Sequence, residues 1–154
     1  MSEVTTEQVA GYADGLFTTP PEMEALTRIV TAFRQHAPAK LMHLKVDLSW
    51  ATDAASALHD AHDQWRFLLA GRETSQQWET PEDFACNTRH IAPSAMYRAV
   101  LISAELDQHV EWLRARAALG FESLDLHNVG RNQEQFIESF GRNVLPALQR
   151  INKS

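Results

Sequence analysis

The sequence lacks several features that would assign a protein to a specialised class. Of its 154 residues one is cysteine, Cys86, so an internal disulfide is excluded and a reducing compartment is favoured. No run approaches the ~20 apolar residues of a membrane span, and the acidic, polar start MSEVTTEQ is not a signal peptide. The net charge of −6, without a cluster of lysines, argues against a nucleic-acid surface. We therefore expect a cytoplasmic protein with no nucleic-acid and no membrane partner.

The composition that remains is that of an ordinary globular protein. Hydrophobic residues make up 44% and charged residues 22% of the chain, and its length suits one domain over residues 1–154. His59 and His62 lie one turn apart in a predicted helix, but no glutamate follows them at the spacing of a zinc motif. The sequence thus predicts a single domain without a metal site.

Strand and helix patterns alternate along the chain. The clearest strand is 41–50, LMHLKVDLSW, in which apolar and polar residues alternate over the whole run. Strands are also predicted at 14–19 and 121–127, and the segment 96–103 fits either a strand or an irregular connection. Repeated strand–helix units predict an α/β fold with parallel strands and right-handed crossovers. Because a closed (β/α)₈ barrel needs eight such units in about 250 residues, this chain is too short to close one alone.

The last strand–loop–helix unit, residues 120–145, contains the main candidate site. Its polar residues His127, Asn128, Gly130 and Arg131 follow one another where the predicted strand ends. Ligands bind at this edge in α/β proteins, and free N–H groups at a helix start beside an arginine favour an anion such as phosphate. The alternative is that the asparagines of the loop cap the helix while Arg131 points to water.

Three segments resemble one protein family. They are ADGLFTT before a proline-started helix, KLMHLKVDLSWA followed by ALHDAHDQW, and DQHVEWLRARAALGFESLDLHNVGRNQEQFIESFGRNVLPAL. Together, over roughly residues 8–150, they resemble the C-terminal half of luciferase-like flavin- or deazaflavin-dependent oxidoreductases and monooxygenases, close to the deazaflavin-dependent sugar-phosphate dehydrogenases. The resemblance implies a half TIM barrel of three to four βα units, incomplete as a monomer. It also implies FMN or a deazaflavin as cofactor, with most cofactor contacts in the N-terminal half, so the isolated chain is expected to bind it weakly or not at all.

The resemblance also draws attention to Arg98. This residue falls where the sugar-phosphate dehydrogenases carry an arginine that binds the substrate phosphate. Their companion lysine has no counterpart here, because the matching region around Gln77 and Trp78 contains none. Arg98 is accordingly either a substrate-phosphate ligand or a solvated surface arginine.

Charged residues occupy the polar sides of two strands that the barrel would make neighbours. Lys45 and Asp47 belong to the first strand, and Asp125 belongs to the second. Charged groups inside a barrel either bind substrate or pair with one another, because an uncompensated buried charge is costly. The pattern favours structural pairing over catalysis, and it assigns no catalytic or cofactor-binding residue.

Two functional hypotheses follow. In the first, the chain is part of an oxidoreductase, and its half-barrel acts after pairing with itself or with a complementary N-terminal half. In the second, the chain is a non-catalytic remnant or engineered fragment, a structural module that self-associates to cover its open strand edges. Both hypotheses predict that the chain is not a monomer, since parallel sheets are normally covered on both faces.

Overall fold

Strands and helices alternate along the chain in the computed structural model, which describes residues 3–20, 22–71 and 75–149. Within these residues the strands are β1 (Gly15–Thr18), β2 (Leu41–Ser49), β3 (Leu101–Ile102) and β4 (Ser123–Asn128). The α-helices are α1 (Glu3–Tyr12), α2 (Met23–His36), α3 (Ala54–Trp65), α4 (Pro81–Asn87), α5 (Leu106–Ala117), α6 (Gln133–Ser139) and α7 (Leu145–Gln149). Two 3₁₀ helices span Arg66–Ala70 and Pro93–Arg98, and a π-helical turn, Phe140–Val144, joins α6 to α7. Part of the polar loop predicted at 71–80 lies outside the described residues.

All strand pairs are parallel, and β2 is the central strand. β4 pairs with one edge of β2 from His43 to Leu48, whereas β1 and β3 share the opposite edge, β1 at its start and β3 at its end. The ambiguous segment 96–103 contains the end of a 3₁₀ helix and the two-residue strand β3. The predicted α/β fold with parallel strands, in three to four βα units, is confirmed.

One face of the sheet packs against the helices and forms the core. Because side chains alternate along a strand, every second residue of β2 points to this face, and Met42, Leu44 and Leu48 have no exposed surface. Leu124 and Leu126 of β4 extend the same face, and Leu26, Phe33, Leu113 and Val144 cover it from α2, α5 and the π-helical turn. Each fully buried leucine contributes about 1.5–3 kcal/mol, so the helices hold this face of the sheet firmly.

The other face of the sheet is mostly polar, and we call it the inner face. It consists of Phe17 on β1, His43, Lys45 and Asp47 on β2, and Ser123, Asp125 and His127 on β4. The register places each polar residue of β2 beside one of β4: His43 beside Ser123, Lys45 beside Asp125, and Asp47 beside His127. The two strands that the sequence predicts to be neighbours are indeed adjacent.

A buried histidine lies where α5 packs against the C-terminal helices. His109 has no exposed surface, and its ring centroid lies 5.3 Å from those of Trp112 and Phe140. Its Nε2 donates to the carbonyl oxygen of Ser103 at 3.0 Å, and Nδ1 has no hydrogen-bond partner among the described residues. Burial lowers the pKa of His109, since the apolar surroundings disfavour the charged ring. His109 is therefore a neutral core residue.

The described ranges contain neither a candidate membrane span nor a candidate metal site. No helix in them combines the length and the apolar composition needed to span a membrane. Nor do three or more His, Cys, Asp or Glu side chains in these ranges converge in a way that suits a metal ion. His62 instead uses Nε2 to contact the carbonyl oxygen of Ile91 at 2.7 Å, and Cys86 is an exposed free thiol.

Candidate functional site

Asp47 is the centre of a group of charged side chains on the inner face. Its Oδ1 lies 2.7 Å from Lys45 Nζ and 2.6 Å from His127 Nδ1, and its side chain is only 13% exposed. An ionised carboxylate only accepts hydrogen bonds, so Nδ1 of His127 is the donor. The β2–β4 register brings Asp47 and His127 together from positions 80 residues apart.

Trp65, the last residue of α3, packs against this group. Its ring lies 5.4 Å from Lys45 Nζ in a cation–π contact, and its centroid is 4.8 Å from that of His127 in an edge-on arrangement. The ring centroid of Phe67 lies 5.1 Å from that of Trp65. The indole Nε1 is buried and has no hydrogen-bond partner among the described residues. Trp65 thus holds Lys45 and His127 in place and retains one unused donor.

A pocket of about 420 Å³ opens beside Lys45 and Asp47. Its lining combines an apolar wall with polar and charged groups: Thr19, Lys45, Asp47, Trp65, Leu68, Leu69, Arg98 and Ala99. This volume and this mixture of apolar and polar groups are typical of small-molecule sites. Arg98 is exposed at the pocket, and in this position it is available to an anionic group of a ligand.

Asn128 is held in a closed circuit of hydrogen bonds. Its Oδ1 accepts from the backbone N–H of Trp50 at 3.2 Å, and its Nδ2 donates to Oδ1 of Asn132 at 2.9 Å. Nδ2 of Asn132 then donates to the carbonyl oxygen of Trp50 at 2.9 Å. Asn128 is 2% exposed, so its amide joins the loop after β4 to the end of β2.

Gly130 and Arg131, the two other candidate residues of this segment, both lie close to side chains of other parts of the chain. A Cβ atom on Gly130 would lie 2.8 Å from Oδ1 of Asn132 and 2.9 Å from Oδ2 of Asp60, so the space there is filled by these two side chains. The side chain of Arg131 is 80% exposed, and its Nη2 lies 3.5 Å from Oδ2 of Asp63. So exposed an ion pair contributes little to stability.

The predicted site residues therefore fall into two groups. His127 joins Asp47 and Lys45 on the inner face, and Arg98 lines the adjacent pocket. Asn128 is the last residue of β4, Gly130 and Arg131 belong to the loop after it, and none of the three lines this pocket. The role of all five in binding stays a prediction.

Several residues of the pocket were not predicted from the sequence. The helical spacing of Trp65 and Leu68 predicts only that both lie on one apolar face of a helix, and this pattern does not indicate a pocket. Thr19, which precedes Pro20, fits a helix cap in the sequence pattern, and no pattern singles out Leu69. No local signal marks these residues, because the end of α3 at Trp65 is seen only in the structure, whereas the sequence pattern continues to Leu68.

The comparisons with known proteins point to one group of enzymes. No family model matches the sequence. The chain is similar to the F420-dependent glucose-6-phosphate dehydrogenase of Microbacterium testaceum, with 38% identity over 107 residues, 70% of this chain and 32% of that protein. The enzyme of the same description from Nakamurella multipartita is 29% identical over 111 residues, 72% of this chain and 32% of the relative. The chain thus spans about a third of the length of the curated relatives it matches.

Solved structures show the same fold. An F420-dependent secondary alcohol dehydrogenase, solved with an F420–acetone adduct, superposes with a TM-score of 0.76 at 15% identity, over 96% of this chain and 47% of that one. The coenzyme F420-dependent tetrahydromethanopterin reductase of Methanopyrus kandleri superposes with a TM-score of 0.69 at 15% identity, over 96% of this chain and 49% of that one. At this identity the likeness concerns the fold, and it covers about half of each structure. The resemblance inferred from the sequence is confirmed: the chain is a homologue of part of the F420-dependent glucose-6-phosphate dehydrogenases, with the fold of about half of a luciferase-like TIM barrel.

Proposed function

We propose that the chain is half of a deazaflavin-dependent oxidoreductase of the luciferase-like type, and that its inner face forms one wall of the reaction chamber. One observation carries the proposal. The helical face of the sheet is a complete apolar core, whereas the inner face has a group of charged side chains beside a pocket of about 420 Å³. In TIM barrels the active site lies at the C-terminal end of the strands, which is the end of β2 and β4 where this charged group lies.

A second half-barrel is required to complete the chamber. Parallel sheets are normally covered on both faces, but Phe17 on the inner face of β1 is 55% exposed and Leu68 at the pocket is 46% exposed. We propose a complementary half-barrel as the partner, because the similar solved structures supply about as much chain again as this one covers. Pairing with a second copy is the alternative, and a measurement of mass and composition distinguishes the two.

The residues of the pocket fit part of a deazaflavin. Trp65, Leu68 and Leu69 offer an apolar wall for a planar ring, and Arg98 offers a cation for an anionic group. The bound cofactor would supply a hydride acceptor, and the protein would supply orientation and electrostatics. FMN offers the same kind of ring, but the F420-dependent relatives favour the deazaflavin. This assignment, like a cytoplasmic location, is part of the proposal.

The isolated chain is expected to bind the cofactor weakly. A good charge-assisted hydrogen bond contributes about 1.5–3 kcal/mol, whereas micromolar binding requires roughly 8 kcal/mol. Arg98 alone and one apolar wall fall short of that. The second half-barrel has to supply the remaining contacts, which links cofactor affinity to assembly.

We propose a hydroxyl-bearing substrate. The relatives are described as dehydrogenases of glucose 6-phosphate, and one similar structure as a dehydrogenase of secondary alcohols. In this chain Arg98 is the pocket residue suited to the anionic group of a phosphorylated substrate, while Lys45 is already paired with Asp47. A phosphorylated and an unphosphorylated alcohol would therefore differ mainly in their dependence on Arg98.

Cofactor titration tests the proposal. Oxidised F420 is titrated into the chain alone and into a mixture with the part of the Microbacterium testaceum relative that lies outside the matched 107 residues. We expect fluorescence quenching to saturate at low micromolar F420 only in the mixture, and Trp65→Leu to weaken that binding. Light scattering on the mixture should show a complex whose mass is the sum of the 17.4 kDa chain and the added part.

Two results would contradict the proposal. Sub-micromolar binding by the chain alone would show that it needs no second half. Self-association without F420 binding in either sample would favour the structural module. Arg98→Gln should weaken the binding of a phosphorylated alcohol more than that of an unphosphorylated one. The exposed Arg89→Gln variant is its matched control, because residue 89 is a surface arginine that does not line the pocket.

A further inference from the structure

We propose that a second pocket of the chain, between the 3₁₀ helix Arg66–Ala70 and α4, is a binding site for a small aromatic carboxylate. The pocket has a volume of about 160 Å³ and shares no lining residue with the pocket on the inner face. It is not part of the proposed reaction chamber, so this site goes beyond the proposed function and does not depend on it.

Aromatic and other apolar side chains form the walls of this pocket. Phe67, Phe84, Pro81 and Ala85 line it, and the rings of Phe67 and Phe84 stand edge to face with their centroids 6.1 Å apart. Trp78 packs edge to face against Phe84 at 5.1 Å between centroids and so restricts that ring. A cavity of about 150 Å³ holds one benzene molecule. The volume therefore selects a ligand with a single six-membered ring.

Arg66 supplies a fixed cation at the pocket. Its Nε donates to Oγ1 of Thr88 at 3.1 Å, and its Nη1 donates to the carbonyl oxygens of His62 and Asp63 at 3.3 Å and 3.0 Å. These bonds use three of the five N–H groups of the guanidinium, and Nη2 has no hydrogen-bond partner among the described residues. The side chain is only 20% exposed, so water weakens a charge-assisted hydrogen bond to it less than on the open surface.

The charges around the pocket favour an anion as the ligand. Asp63 also lines the pocket, but its Oδ1 lies 3.9 Å from Nη1 of Arg66, a long distance for an ion pair. Its Oδ2 lies 3.5 Å from Nη2 of Arg131, so one carboxylate is shared between two guanidinium groups. These three side chains together carry an excess of positive charge. A planar carboxylate attached to a flat ring matches both the guanidinium and the aromatic walls.

A purely structural role for these residues is the alternative. Arg66 caps the C-terminal end of α3 through Nη1, and the pocket would then be a packing gap beside α4. The cap accounts for Nη1 and the bond to Thr88 accounts for Nε, but neither uses Nη2. A packing gap would take up small rings regardless of their charge, whereas a carboxylate site discriminates between ligands of the same shape.

A series of ligands with one shape and three charges tests the proposal on the full chain alone. The probes are 4-fluorobenzoate, 4-fluorobenzamide and 4-fluorobenzamidine, which are an anion, a neutral molecule and a cation. Titration at constant ionic strength, followed by ¹⁹F NMR, gives the three dissociation constants. We expect saturable binding of the benzoate at millimolar concentration, several-fold weaker binding of the benzamide, and the weakest binding of the benzamidine.

Two variants with matched controls locate the binding. Arg66→Gln should weaken benzoate binding about tenfold or more, because it removes the charge that the ligand contacts. Exposed Arg89→Gln makes the same change of net charge outside the pocket and should leave the affinity unchanged. Ala85→Leu should weaken the binding of all three probes several-fold by filling the pocket, whereas Ala55→Leu, at an exposed position of α3, should not.

Each outcome decides the proposal. Absence of saturable benzoate binding, or equal binding of the three probes, would overturn it, and so would equal losses of affinity in Arg66→Gln and Arg89→Gln. If Arg66→Gln failed to fold, the ligand series and the comparison of Ala85→Leu with Ala55→Leu would still decide. None of these measurements involves F420 or a second half-barrel, so failure of the proposed function would leave them unaffected.

Discussion

Replacing Asn128, the last residue of β4, by alanine should destabilise the chain far more than is usual for an asparagine at the end of a strand. The substitution removes the acceptor of the Trp50 N–H and the donor to Oδ1 of Asn132. Trp50 is only 6% exposed, so water has little access to replace the lost partner. The end of β2 and the loop after β4 would then lose the circuit that joins them.

The expected magnitude follows from the two lost contacts. A buried N–H left without a partner costs about 1–3 kcal/mol, and the second, partly exposed bond contributes about 0.5–1.5 kcal/mol. We therefore expect a loss of about 2–4 kcal/mol, which lowers the melting temperature by roughly 5–15 °C for a chain of this length. Asn128→Asp should be at least as harmful at neutral pH, because its second carboxylate oxygen would face Oδ1 of Asn132.

Urea unfolding followed by circular dichroism measures the effect. The matched control is Asn143→Ala, since exposed Asn143 also donates one hydrogen bond, to the carbonyl oxygen of Ser139 at 2.9 Å. That variant should stay within about 0.5 kcal/mol of the wild-type chain. If Asn128→Ala cost no more than Asn143→Ala, the circuit would not stabilise the fold, and a ligand-binding role for Asn128 would gain support.

Three further predictions concern pH, backbone packing and anions. Because burial lowers the pKa of His109, the free energy of unfolding should fall as pH decreases below about 6.5, where the unfolded chain takes up a proton and the folded chain does not. The fall should level off once the folded ring is protonated. His109→Gln should flatten this part of the pH profile measured by urea unfolding, and an unchanged slope would refute the assignment. Gly15→Ala should lower the free energy of unfolding by about 1–3 kcal/mol, because its Cβ would lie 2.9 Å from the carbonyl oxygen of Leu41. Gly11→Ala, in a helix with open space around it, should raise the free energy of unfolding by up to about 1 kcal/mol. Equal shifts of the melting temperature in the two variants would contradict this. If the loop after β4 binds an anion, sulfate should raise the melting temperature more than chloride at matched ionic strength, and less so in Arg131→Ala; equal rises in both proteins would make Arg131 a solvated charge.

The sheet was predictable from sequence to the extent that its signals are local. Alternation over residues 41–50 marks β2 and separates its two faces, and the same pattern at 121–127 marks β4. The strand β3 was ambiguous because its two residues are too few to establish a period, and only their pairing with Leu48 and Ser49 defines them. Local pattern therefore predicts long strands well and short ones poorly.

The site was less predictable, because its contacts join distant parts of the chain. In the sequence Asn128 belongs to a polar stretch that suggests a cap or a ligand contact, and nothing nearby shows that it bonds to Trp50, 78 residues away. Asp47 and His127 could be placed on polar strand faces, but their hydrogen bond depends on a register that alternation does not specify. Trp65 contacts them only because α3 ends above the inner face.

The separation of the two sheet faces affects how the sequence of this chain can diverge during evolution. Substitutions at alternate positions of β2 and β4 affect different properties, since one set forms the core and the other forms the inner face. Most single changes on the inner face remove no core contact, so new specificities can arise there without loss of folding. A library randomised at His43, Ser123 and Asp125 should consequently contain mostly folded proteins, while one randomised at Met42, Leu44 and Leu48 should contain few. The half-barrel is in this sense a scaffold whose ligand surface is free to diverge.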